Sequence, residues 1–491
     1  MKHFTIASIL GLTFLFSYSQ KPAYEIKIKL RGFIGPELYL GYHYGDKKYL
    51  LDTARINPKT EEYVFSGNKP LEGGIYLIIL PSKRYMEFLV DENQFFSIET
   101  DTLDFVKNAK VRNSTSNTVF FDYLKTTGPK QELVGKYLKR VDTLPQKHDS
   151  VAIYREWIKN FEKEINDYRN NIIQKHSNLF IGKLFQSMKE PDIPDAPTLS
   201  DGSKDSTFAF RYFRAHYFDG FAWDDSKIAR TPVLHNKLLF YLDKLTPPVP
   251  DSIIEAAKFL VSKAKASPEN FKYTVHYLTS TYERSPIMGM EAVFVFMVKN
   301  YYTREQAFWA DTTLIRKIQD RARSMEPLLI GKVAPNIILA DTALKNWYNL
   351  QKIDAAYTIV AFWSPECGHC KKVIPKLKEV YDKFKPLGLA VYAVCTDRNM
   401  DAWRNFVREH DLNWINVAVH PIMAEKPEKF VLEERLTDLK SLNIHKTWDI
   451  FSTPQIYVVD RKKIIVGRRL SVEDLNDFLQ KLFDKESGKM K

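Results

Sequence analysis

Two of the three cysteines in this 491-residue chain stand two residues apart, in Trp363-Ser-Pro-Glu-Cys367-Gly-His-Cys370. The segment directly follows an apolar run, Tyr357 to Phe362, and directly precedes a helical pattern. A strand that ends in Cys-x-x-Cys at a helix start suits thiol–disulfide chemistry. The first sulfur meets unpaired backbone N–H groups and the positive end of the helix dipole, which favour a thiolate; the second lies one turn on, able to close a disulfide. Zinc would need two further ligands, and no second Cys-x-x-Cys or Cys/His pair exists. His216, His235 and His276 lack neighbours at metal-ligand spacing and read as structural. No metal or other cofactor is expected, because the reactive group is the cysteine pair itself.

The elements that must hold this pair begin near Ile330-Gly-Lys-Val-Ala-Pro335. They run as strand Tyr357 to Phe362, helix Cys370 to Phe384, strand Leu389 to Val394 and helix Asp401 to His410. After a polar insertion come strands Gln455 to Asp460 and Lys463 to Val466 and a closing helix, Val472 to Phe483. Alternation followed by a hairpin and a helix predicts an α/β domain whose central mixed sheet is covered on both faces.

Four features of this region resemble the thioredoxin superfamily, and within it the periplasmic thiol:disulfide oxidoreductases of the TlpA/ResA type. The first is the segment Phe362 to Cys370. Pro375, five residues after Cys370, stands where thioredoxins carry the proline that kinks the active-site helix. Thr453-Pro454, leading into Gln455 to Asp460, matches the cis-proline loop and its following strand, and Gly331 to Pro335 resembles the entry segment of TlpA-like and peroxiredoxin-like members. The resemblance spans residues 328 to 485.

The resemblance implies roles. Cys367, the more exposed sulfur, attacks a substrate disulfide, and Cys370 resolves the mixed disulfide, leaving a Cys367–Cys370 disulfide. His369, placed as in the Cys-Gly-His-Cys of disulfide isomerases, either favours the thiolate or is a solvent-facing spacer. Glu366 opposes thiolate formation, relays protons, or is a plain surface carboxylate. Trp363 packs beside the site, and a cis Pro454 places the Thr453 backbone next to the Cys367 sulfur, where an extended substrate segment can pair with it. One position departs from the pattern: thioredoxins and disulfide isomerases carry a buried acid six residues before the first cysteine, and here that residue is Ala361. Glu366 or water must then serve Cys370, or turnover is slow. Cys395, ending the strand Leu389 to Cys395, reads as a buried apolar thiol.

The rest of the chain predicts a multidomain α+β protein. Residues 1–19 carry a charged start, an apolar run from Phe4 to Phe16 and a small-residue end, the pattern of a signal peptide. That run is shorter than the ~20 residues a spanning helix needs, and no later stretch is apolar enough. Residues 20–110 read as an antiparallel β-sandwich or barrel, with strands Tyr24 to Leu30, Leu38 to Tyr44, Lys48 to Ile56, Gly74 to Leu80 and Phe95 to Glu99. Residues 111–327 read as an all-α domain, including Val151 to Ser177, Ser252 to Ala266 and Glu291 to Lys299, with aromatics such as Tyr217, Phe218, Phe221 and Trp223 packing between helices. Residues 328–491 form the thioredoxin-like domain. The net charge of +12 is spread along the chain with no dense basic block, so no nucleic-acid partner is expected.

Together these readings predict a periplasmic or envelope oxidoreductase that reduces or exchanges disulfides in envelope proteins, supplied by an upstream electron donor and serving cell redox homeostasis. Two other classes stay open. In one, the N-terminal domains bind or scaffold and the redox pair is vestigial. In the other, an antioxidant thiol peroxidase, Ser364 three residues before Cys367 fits, but Val360 stands where peroxiredoxins need proline.

Overall fold

The computed structural model describes residues 21–33, 35–145 and 148–488; the expected signal peptide lies outside them. The chain divides into two compact units. One extends to Leu245 and includes Lys263–Phe271; the other comprises Thr246–Ser262 and the chain from Lys272.

The first unit begins with strands β1 (Tyr24–Arg31), β2 (Glu37–Tyr44), β3 (Lys47–Asn57), β4 (Glu62–Gly67), β5 (Gly74–Ile79), β6 (Tyr85–Val90), β7 (Phe95–Asp101) and β8 (Lys110–Arg112). Their order is β6-β5-β2-β3-β4-β1-β7-β8. Every second residue of β1 turns inward, and Ile26 and Ile28 meet Leu38, Phe65, Phe88 and Phe96 in one core, so the sheet folds over on itself as a sandwich. The pairing is not wholly antiparallel as expected. β1 and β7 run parallel, with Ile28 opposite Ile98, which the five intervening strands permit by supplying the long connection a parallel pair requires. Helices Thr115–Thr143 and Asp149–Lys175 follow, and Ser114 caps the first by accepting the Asn117 N–H. Tyr217, Phe218, Phe221 and Trp223 are buried against one another.

The second unit contains helices Glu291–Tyr301 and Thr312–Met325 and a seven-stranded mixed sheet. Its strands are β9 (Ile338–Ala340), β10 (Trp347–Asn349), β11 (Tyr357–Trp363), β12 (Leu389–Cys395), β13 (Ile415–Ala418), β14 (Gln455–Asp460) and β15 (Ile465–Arg468), in the order β10-β9-β13-β12-β11-β14-β15. β11 pairs parallel with β12 and antiparallel with β14. Both faces of β11 are covered, which is why its sequence is an unbroken apolar run rather than an alternating one. Ile359, Ala361 and Trp363 pack under helices Cys370–Phe384 and Val472–Glu486. Val360 and Phe362 face a second core with Tyr392, Trp448 and Tyr457. Three short strands, β9, β10 and β13, were not expected, and the last lies inside the segment read as a polar insertion. The final strand begins at Ile465 rather than Lys463, because Lys463 takes a positive φ in the turn after Asp460.

Candidate redox site

β11 delivers the chain to the carboxyl edge of the sheet, where Ser364 to His369 turn into the helix Cys370–Phe384. The Cys367 N–H closes the turn on the Ser364 carbonyl at 3.3 Å. No side chain caps the helix; instead the Cys370 N–H points at Cys367 Sγ, 3.4 Å away. A sulfur that accepts helix N-terminal amides is stabilised as an anion. Pro375 lies inside this helix.

The two thiols are unlike. Cys367 is partly exposed and Cys370 is fully buried. Burial alone pushes the Cys367 thiol up, but the Cys370 backbone N–H and thiol, the Thr453 side chain and the His369 backbone N–H outweigh it, and the pKa falls below the ordinary 9.0. The Thr453 carbonyl accepts from Cys367 Sγ at 3.3 Å, a bond that holds the protonated form and moderates this shift. Burial first, and then the hydrogen bond and charge of Cys367, push the Cys370 thiol up to about 11. The two sulfurs stand one helical turn apart at the helix start, both as free thiols.

The Thr453–Pro454 peptide is cis, and it brings the Thr453 carbonyl to the Cys367 sulfur. Trp363 is fully buried beneath the site, its ring 5.0 Å from that of Phe406. His369 is exposed, and its backbone N–H supports the Cys367 thiolate. Glu366 is exposed, and its carboxylate accepts from Asn399 Nδ2 at 2.9 Å. Ala361 is fully buried, opposite Ala393 and Ile456 on the neighbouring strands. Val360 faces the core on the other side of the sheet from Cys370. Cys395 is buried, and desolvation raises its thiol to about 12.

Sequence reasoning missed Asp397. Its carboxylate accepts from Ser364 Oγ at 2.7 Å and from the Asn399 N–H at 3.0 Å, while Ser364 Oγ accepts the Glu366 N–H. The Thr396 N–H donates to the Trp363 carbonyl at 2.8 Å, so the loop after β12 is clamped to the turn that presents Cys367. The Asn399 N–H, ahead of an opposing burial effect, and the Ser364 hydroxyl hold the Asp397 carboxyl below the usual carboxylate range. The one local signal was an Asp-x-Asn cap ahead of helix Met400–Glu409.

A seven-stranded mixed sheet with a cis-proline loop facing a Cys-x-x-Cys helix start agrees with the family match to residues 330–468, which is to the AhpC/TSA family. Residues 330–468 form a thioredoxin-like domain. Residues 24–120 and 152–323 match two domains of unknown function, DUF4369 and DUF5106. The thiol-disulfide oxidoreductase ResA of a Bacillus cereus strain is 25% identical over 184 residues, 37% of this chain and 87% of the relative. A solved domain of a possible thiol-disulfide isomerase from Cytophaga hutchinsonii is 35% identical, with a TM-score of 0.27 over 34% of this chain and 99% of that one. A thioredoxin-like protein from Bacteroides caccae is 17% identical, with a TM-score of 0.42 over 59% of this chain and 99% of that one. The thioredoxin-like domain thus has thiol-disulfide oxidoreductases among its relatives.

Proposed function

We propose that this chain is a thiol:disulfide oxidoreductase of the periplasm or cell envelope, with Cys367 as nucleophile and Cys370 as resolving thiol. The observation that carries the reading is the split between the two: an accessible sulfur with a lowered pKa, and a buried neighbour raised to about 11. The Cys367 thiolate attacks a substrate S–S bond, forming a mixed disulfide as the distal substrate sulfur leaves as a thiolate. Cys370 then loses its proton and attacks Cys367 Sγ, closing the Cys367–Cys370 disulfide and releasing the second substrate thiolate. The substrate gains two electrons and the pair loses them; an external dithiol must restore it. Disulfide-containing envelope proteins are the substrates, a placement supported by the signal-like composition of residues 1–19.

Cys367 Sγ lies beside the amides of the helix start, where the charge of its thiolate is favoured both as it attacks and when the pair is reduced again. Reduction of insulin by the full chain, driven by dithiothreitol, tests the reading. The wild type should accelerate precipitation and Cys367→Ser should match the uncatalysed rate; equal acceleration by both proteins would overturn it.

A further inference from the structure

We infer that the groove beside Cys367 selects protein disulfides whose reacting cysteine is flanked by an apolar side chain and an acidic one. The inference rests on the exchange function above and names its substrate class. The groove, about 740 Å³, runs from the helix start at His369 past Pro454 to the loop before helix Val472–Glu486. Pro454 lines it, and the preceding Thr453 carbonyl lies 3.3 Å from Cys367 Sγ. A segment whose sulfur reaches Cys367 therefore lays its neighbouring residues in this groove.

Three features of the wall decide what fits. Phe451 is 78% exposed, the most exposed aromatic ring among the described residues, and the Arg321 guanidinium lies 4.6 Å from its centre. A ring held from one side and open on the other is a platform for an apolar side chain. The charge is positive: four cations line the groove against two carboxylates. Arg321 is bound to Asp449 and Lys376 to Glu473, whereas exposed Lys372 has no ion-pair partner among the described residues. Arg469 shares the single carboxylate of Glu291 with Arg468, so one guanidinium charge there is uncompensated. The third feature is Asp449, 3% exposed, whose Oδ1 anchors Arg321 and so fixes the cation behind the Phe451 ring. An acidic side chain complements the excess positive charge, whereas a basic one meets it unfavourably.

The test uses the reduced full chain and disulfide-linked peptide dimers in which the residues flanking cysteine are Phe and Glu, Ala and Glu, Phe and Lys, or Ala and Lys. Second-order rates are expressed relative to hydroxyethyl disulfide for each protein. The Glu peptides should react about three- to fivefold faster than the Lys peptides at low ionic strength, an advantage that shrinks in high salt. Lys372→Glu should abolish that advantage, and Phe451→Ala should abolish the preference for Phe over Ala. Equal rates for all four peptides, or preferences untouched by both substitutions, would overturn the inference. A wild type that fails even with hydroxyethyl disulfide would instead refute the exchange reading beneath it.

Discussion

Raising the pH on the reduced protein should unmask its two active-site thiols one after the other. At pH 7 a thiol of pKa 9 is ionised to roughly one part in a hundred and one of pKa 11 to roughly one in ten thousand. Cys367 sits below 9.0 and Cys370 at about 11, so the thiolate populations differ by at least about a hundredfold. A less basic thiolate is intrinsically less nucleophilic, which over two pKa units returns roughly a factor of ten. The net preference for Cys367 is then at least about tenfold, and the complete burial of Cys370 adds to it. Pulsed iodoacetamide labelling from pH 5 to 11, with the modified cysteine located by mass spectrometry, reads this directly. Labelling of Cys367 should rise with a midpoint below 9 and level off, while labelling of Cys370 should still be climbing near pH 11. Equal labelling of the two at pH 7, or a Cys367 midpoint at or above 9, would refute the argument from helix amides and burial.

Three substitutions probe the supports. Asp397→Asn weakens the hold on Ser364 and should cost about 1–2 kcal/mol in urea unfolding at pH 7. Because the folded-state pKa of Asp397 is depressed, the difference should be full above the unfolded carboxylate pKa and vanish as pH falls through the folded one. Glu291→Ala should be more damaging, by about 3–5 kcal/mol, since it strands the Arg468 guanidinium, whose side chain is fully buried. Trp363→Ala empties the floor beneath Cys370 and should lower stability by about 3–5 kcal/mol in the same assay.

The redox pair was legible because its chemistry depends on local spacing: Cys367 and Cys370 lie one helical turn apart, and the apolar run before them is β11. Long elements were legible for a similar reason, since helix Cys370–Phe384 carries enough turns for its buried face to show. The three- and four-residue strands β9, β10 and β13 were not, because so few residues establish no period; they are strands through their neighbours' hydrogen bonds. The parallel pairing of β1 with β7 was equally hidden, as inward-facing alternation looks the same in either direction. Asp397 and Ser364 are 33 positions apart in sequence, and only the parallel pairing of β11 with β12 brings their loops together. The absence of an acid at Ala361 was visible, yet the clamp from the next loop was not. The contact of the Glu366 carboxylate with Asn399, from that same loop, was hidden in the same way.

The central claim is that Cys367 attacks and Cys370 resolves. Its most direct test is mass spectrometry of the reduced Cys370→Ser protein mixed with a disulfide-linked peptide dimer. A single peptide should become covalently attached at Cys367 and persist until a reductant is added, while the wild type should pass on to the Cys367–Cys370 disulfide with no adduct retained. An adduct on Cys395, or no adduct in the variant at all, would contradict the account.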